Sequence, residues 1–268
     1  MTRTTLQTPI DGTQIVVDRS GLASGPTLVW LHGQFGALDG LPGRDALGER
    51  FDVVEVHLPG WGVADGGDRF DSIGELASVV WWALESLDLG RVSVAGHGFG
   101  ATLAVELAIQ QPGAVRSLAL AAPFGMFRAD DTGVDMFALL PRDLNPHLYT
   151  DPQGELVARH FPPPADAYEK GLASIRRVQT LGSTSRYLFP IPDTNVAGRG
   201  YRLADVPMRL WFGAQDGLVP VSLAADWQQV FPHARIEIID PAGHMVADEH
   251  EGFAAELAAS IESLGITN

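Results

Sequence analysis

The residues of this chain best placed to do chemistry are His97, Asp216 and His244, each set beside glycine. Gly96-His97-Gly98-Phe99-Gly100 follows Val92-Ser93-Val94-Ala95, a run of strand character, and precedes the small apolar run 101–109. This pattern reads as a strand, a very tight turn and a helix. Such a turn strains the backbone of its central residue and drives that side chain out at the helix N-terminus. The reading takes His97 as that residue. A helix N-terminus disfavours the imidazolium form, so His97 is expected to be neutral. A neutral imidazole can attack an acyl carbon through its free nitrogen, act as a base, or donate a hydrogen bond. His244 suits a general base and acid if Asp216 holds its ring in one tautomer and stabilises the imidazolium. Both residues also have plain readings, since Asp-Gly is a common turn pair and a loop histidine can cap backbone groups.

These residues need elements to position them. Segments 4–8 and 13–18, around Asp11-Gly12, read as a hairpin, and 27–31, 52–57, 117–121, 207–213 and 235–239 as further strands. Helices are expected over 38–49, 71–87, 101–109, 219–231 and 249–264, with Asp71-Ser72 as an N-cap. Strand–helix alternation implies a mostly parallel sheet with helices on both faces. Ligands of such sheets bind beyond the carboxyl ends of the strands, where His32-Gly33-Gln34, the 96–100 turn, Gly213–Asp216 and Gly243-His244 all fall. The alternation breaks over 123–205, which is rich in Pro, Gly, Asp and Arg and shows helical segments such as 165–179 but no clear strand. A structureless loop of that length is improbable, so it reads as an inserted helical cap on a core formed by 1–122 and 206–268.

Composition bounds the function. The 268 residues carry 18 Lys and Arg against 33 Asp and Glu, a formal charge of -15, which argues against nucleic acid and anionic membranes as partners. Cysteine is absent, which removes disulfides, thiolate metal sites and cysteine nucleophiles. The first residues lead into no apolar leader and no stretch reaches membrane-spanning length, so a cytoplasmic location is expected. Lys170 is the sole lysine, a bias that suits a GC-rich bacterial genome. His32, His97, His244 and Asp216 share no local metal-ligand spacing, and no metal is expected.

Five motifs in order make the chain resemble the α/β-hydrolase fold family. They are the His32-Gly33 turn, Leu58-Pro59-Gly60-Trp61-Gly62, the 96–100 turn (similar to the G-x-S-x-G nucleophile elbow), the Gly213–Pro220 loop and Gly243-His244. The resemblance implies a triad with His97 at the nucleophile position, Asp216 as its acid and His244 as its base. It implies an oxyanion hole from the backbone N–H groups of Gln34 and Gly98, with the Gln34 amide as a further donor. His32 reads as structural. Phe35, Phe124, Met126, Phe127 and Met245 flank the motif loops or open the cap, and suggest a pocket for a small apolar substrate. The expected function is that of a cofactor-free hydrolase, monomeric or homodimeric, acting on an ester or other carbonyl compound. Non-hydrolytic relatives of this fold (lyases, cyclases, decarboxylases, cofactor-free oxygenases) and an inactive ligand-binding protein are the alternatives.

Overall fold

The computed structural model of the chain describes residues 1–140 and 143–264. Residues 141–142 and 265–268, which fall within the 123–205 and 206–268 portions of the expected division, lie outside the described residues. Eight strands form one sheet: β1 (Thr2–Gln7), β2 (Gln14–Gly21), β3 (Thr27–Leu31), β4 (Asp52–His57), β5 (Val92–His97), β6 (Val115–Ala121), β7 (Met208–Gly213) and β8 (Arg235–Ile239). Their order is β1-β2-β4-β3-β5-β6-β7-β8. Only β1–β2 and β2–β4 pair antiparallel; the other five pairings are parallel. The central strands are apolar on both faces because helices cover both. On β3, Val29 and Leu31 join one buried cluster, while Leu28 and Trp30 join a second on the opposite side.

Helices α1 (Arg44–Gly48), α2 (Ile73–Ser86) and α3 (Phe99–Gln110) lie between the first six strands in sequence. Ser72 caps α2 by accepting from Glu75 N–H at 3.2 Å, and Glu75 in turn accepts from Asp71 N–H at 2.8 Å. Helix α1 is much shorter than the expected 38–49, because Leu38, Gly40 and Gly43 all take positive φ and Pro42 interrupts the run.

Between β6 and its neighbour β7 the chain leaves the sheet. That excursion carries α4 (Asn145–Leu148), α5 (Glu155–His160), α6 (Ala167–Leu188) and α7 (Val196–Arg199). Helix α6 runs nine residues past the segment read from sequence, and its last turns bury Leu181, Thr184 and Leu188. Thr184 Oγ1 donates to the Gln34 carbonyl at 3.0 Å, and Ser183 Oγ to the Gly60 carbonyl at 2.7 Å. Arg159 and His160 of α5 face Asp39 and Asp248. The chain then closes with α8 (Leu223–Val230), α9 (Val246–Glu249) and α10 (Phe253–Leu264). No helix among the described residues is long and apolar enough to cross a membrane.

Candidate active site

The turn after β5 sets the site, and its geometry corrects the sequence reading. Gly98, not His97, holds the strained conformation, with φ 52° and ψ -116°. His97 is the last residue of β5. Gly96 and Gly100, two positions either side of Gly98, lack side chains because the chain crosses itself there. A Cβ on Gly96 would lie 2.5 Å from the Gly100 carbonyl carbon, and one on Gly100 would collide with the Leu31 carbonyl oxygen. The centre of the elbow is therefore a residue with no side chain.

The second correction concerns the backbone donors. Gly98 N–H is spent on the Ala121 carbonyl at 2.8 Å and faces no open acceptor position. The free N–H groups at this spot are those of Gln34 and of Phe99, the first residue of α3; neither has an acceptor among the described residues. The Gln34 carbonyl is held by two donors, Thr184 Oγ1 at 3.0 Å and Trp61 Nε1 at 3.2 Å. Phe99 was missed in the sequence because its neighbour was mistaken for a flanking residue.

Asp216 and His244 come together from the loops after β7 and β8. His244 Nδ1 donates to Asp216 Oδ2 at 2.9 Å, and both side chains are fully buried. Asp216 Oδ1 accepts from Leu218 N–H and Val219 N–H at 2.8 and 2.9 Å. Three hydrogen bonds to one carboxylate fix its orientation. With Nδ1–H committed to Asp216, Nε2 is the acceptor nitrogen of the neutral imidazole. That atom is buried and without a partner. It points at the elbow: a Cβ placed on Gly98 would sit 3.1 Å from it. The Gln34 carboxamide crowds the same point, and its Oε1 and Nε2 are likewise buried and unpartnered.

His97 does something different. Its Nε2–H donates to the His244 carbonyl at 2.8 Å, while Leu148 carbonyl accepts from Met245 N–H at 3.0 Å. The base is thus strapped on both sides of its own residue. Burial and the adjacent His244 ring hold the His97 pKa down at about 4, so the ring is neutral at pH 7. His32 is structural. Its Nδ1 donates to the Gly33 carbonyl at 2.9 Å and its Nε2 accepts from Leu58 N–H at 3.2 Å, joining the ends of β3 and β4. Burial lowers its pKa to about 4 as well.

The five residues expected to line one pocket separate. Phe124 and Phe127, with Met136, Leu188, Leu218, Thr132 and Asp135, line a cavity of about 100 Å³ of mixed polarity. The Phe124 ring lies 5.4 Å from that of His244, although His244 does not itself line this cavity. Phe35 and Met245 border a separate space of about 20 Å³ behind His97, and Met126 is buried without lining either. On the other flank, Trp61, Phe99 and Tyr187 form a ring stack.

Residues 26–251 match the family model described as the alpha/beta hydrolase fold. The chain belongs to the α/β-hydrolase family. Among its relatives, the pimeloyl-[acyl-carrier protein] methyl ester esterase of Nitrosomonas europaea is 31% identical over 82% of this chain and 89% of its own length. A dihydrolipoyllysine-residue acetyltransferase component of an acetoin cleaving system from Cupriavidus necator is 27% identical over 88% of the chain, which spans only 63% of that protein. Solved structures share the fold. An esterase from Rhodococcus sp. ECU1013 superposes with a TM-score of 0.78 at 19% identity, covering 99% of this chain and all of the other. A bacterial membrane phospholipase A gives 0.80 at 21% identity, covering 99% of this chain and 87% of the other.

Proposed function

We propose that this α/β-hydrolase cleaves esters of small apolar acyl groups by direct attack, with no covalent acyl-enzyme. In this reading His244, oriented by Asp216, takes a proton from an incoming oxygen nucleophile located where the elbow side chain would otherwise project. As that oxygen bonds to the acyl carbon, the carbonyl oxygen gains charge opposite the N–H groups of Gln34 and Phe99. The carbonyl then reforms, the ester C–O bond breaks, and His244 returns its proton to the departing alkoxide. The acyl chain would enter the cavity of Phe124, Met136, Leu188 and Leu218. One observation carries the reading: a buried, carboxylate-backed Nε2 without a partner faces a glycine at the strained centre of the elbow. In this reading His97 is not the nucleophile, because it ends β5 while the centre of the elbow is Gly98, and its ring is held against the His244 carbonyl.

The test uses p-nitrophenyl esters from acetate to octanoate with the native protein, His244→Ala and Gly98→Ser, and intact mass during turnover. The native protein should turn over slowly with no adduct, and His244→Ala should be silent. Gly98→Ser should accumulate a covalent acyl adduct once the movable Gln34 amide swings aside. Native turnover that survives His244→Ala unchanged would sink the reading. A second reading, a ligand-binding protein without turnover, is favoured by the Gln34 amide occupying the space over Gly98. Ester binding by a native protein that never releases p-nitrophenol would select it.

A further inference from the structure

A cleft under helix α6, outside the reacting centre, has a composition that sets it apart. Phe35, Phe161, Pro162 and Pro164 give it carbon walls, and Lys170, Arg176 and Arg177 of α6 give it cations. No Asp or Glu lines it, in a chain with 33 Asp and Glu against 18 Lys and Arg. Two larger clefts, of about 590 and 1160 Å³, are bordered by Asp39, Asp45, Asp248 and Glu251 and by Asp65 and Asp68. The volume of about 470 Å³ under α6 is that of a small-molecule site. None of Gln34, Gly98 and His244 borders it.

Arg177 is the half-buried cation of the three. Its guanidinium carbon lies 4.0 Å from the Phe161 ring centroid and 5.7 Å from that of Phe35, so two rings position the charge without neutralising it. Nη2 donates to a neutral acceptor, Asn145 Oδ1, at 2.8 Å, and Nε is buried with no partner. Nη1 makes no hydrogen bond among the described residues and stays accessible to a ligand. Burial pushes the pKa of the group down, a shift that a nearby carboxylate would oppose and that none of the described ones does. Arginine stays charged even so. Among the described residues neither Lys170, Arg176 nor Arg177 meets a carboxylate, whereas Arg19, Arg44, Arg199 and Arg209 each do so at 2.6 to 2.8 Å. An anion brought to Arg177 would supply the countercharge that these others already have.

The remaining polar groups decide which anion. Ser174 Oγ donates to the Lys170 carbonyl at 2.9 Å and Thr180 Oγ1 to the Arg177 carbonyl at 3.0 Å, so neither hydroxyl has a proton to spare. His160 also borders the cleft, but its Nδ1 is 2.9 Å from the Tyr149 hydroxyl and its Nε2 is 3.4 Å from Asp248. Phosphate, with three or four oxygens to satisfy, finds one half-buried guanidinium here and otherwise mostly carbon. A carboxylate is satisfied by one guanidinium, and an apolar body attached to it covers the Phe161, Pro162 and Pro164 walls. From this geometry we infer that the cleft under α6 binds a monocarboxylate carried on an apolar body, with Arg177 recognising the carboxylate. Lys170 and Arg176, both exposed, draw the anion towards the cleft without holding it.

The experiment titrates the native protein with 3-phenylpropanoate and, separately, with its neutral counterpart 3-phenylpropan-1-ol, by calorimetry at neutral pH. The carboxylate should bind saturably and about tenfold or more tighter than the alcohol. Arg177→Met keeps an unbranched apolar stem and loses the charge. It should weaken 3-phenylpropanoate by about tenfold or more and leave the alcohol nearly unchanged. Arg177→Lys keeps the charge without the fork and should fall between. Ala173→Trp fills the cleft from α6 and should abolish binding of both probes, while His244→Ala should match the native protein. Circular dichroism and thermal melts check that each variant is folded. Equal binding of acid and alcohol by the native protein, or binding of neither, overturns the inference. So does a folded Arg177→Met that keeps the preference for the acid. Loss of 3-phenylpropanoate binding in folded His244→Ala would place the carboxylate at the base instead. Inorganic phosphate displacing 3-phenylpropanoate at equal concentration would overturn the inference too, by showing a general anion site.

Discussion

His97 and His244 are neighbours, with ring centroids 5.0 Å apart and each almost wholly hidden from solvent. What stands behind them separates their roles. His244 donates its Nδ1–H to a carboxylate that three hydrogen bonds hold in place, which leaves Nε2 free and sets a countercharge beside the ring. His97 donates its Nε2–H to a carbonyl, which offers an imidazolium no countercharge, and burial keeps its pKa near 4. Two imidazoles in one pocket thus become a base and a strap. The partner on the far nitrogen decides which, not the ring or its depth.

The sharpest way to break this contrast is to exchange the consequences. Asp216→Asn removes the countercharge and upsets the tautomer, and should lower turnover by about 10³–10⁴-fold. His97→Phe removes only the strap and should lower kcat by about tenfold, leaving the pH dependence of kcat/KM in place. His97→Gln, which keeps an N–H donor, should recover much of that loss. If His97→Phe is as damaging as Asp216→Asn, or shifts the pH profile, His97 takes part in proton transfer and the contrast collapses.

The same two residues show why the site was only partly legible in the sequence. Strands such as β3 and β4 match the runs read as strands because burial on both faces demands largely apolar or β-branched residues, while the edge strand β8 matches through its β-branched isoleucines. The loops after β7 and β8 marked themselves by glycine followed by Asp216 and His244. The elbow was different. Its spacing rule needs small residues at 96 and 100 about a centre at 98, and that centre is itself glycine. With three glycines alternating, the eye settles on His97, the one side chain with chemistry, and moves the turn back by a residue. The Phe99 donor is then lost as well, since the N–H that follows the centre is assigned to Gly98. The φ of 52° at Gly98 and its bond to the Ala121 carbonyl restore the register. Long-range ties such as Leu148 to Met245 had no local signal, because they depend on how the 123–205 excursion folds back.

A smaller effect should appear in stability. His97 and His32 each have a folded pKa of about 4 against an ordinary value of 6.5, chiefly through burial. Between these values the unfolded chain binds the protons and the folded protein does not, so stability rises with pH across the window. It is fully present above about pH 6.5 and is lost as pH falls towards about 4, by on the order of a few kcal/mol for the pair. Asp18, held at about 2 by Arg3, adds stability that is fully present above its ordinary value of 3.8 and is lost only below it, outside this window. Urea unfolding across the window should show the fall, and His97→Phe should shrink it by about half. A slope unchanged in His97→Phe would mean that the ring keeps an ordinary pKa, so that it too could carry a proton.

The gentlest test asks whether a strap on the other side of the pocket matters in the same way. Thr184 ties α6 to the Gln34 carbonyl, as His97 ties β5 to the His244 carbonyl. The Gln34 carbonyl keeps a second donor in Trp61 Nε1, whereas His97 is the sole donor found on the His244 carbonyl among the described residues. Thr184→Val should therefore cost about 1 kcal/mol or less and raise KM by a few-fold, with kcat nearly untouched. Substrate entry would loosen while the base stayed aligned. A fall in kcat matching that of His97→Phe would instead mean that the Gln34 backbone donor is as finely placed as the base, and that transition-state charge at its N–H limits the reaction as strongly as proton transfer at His244.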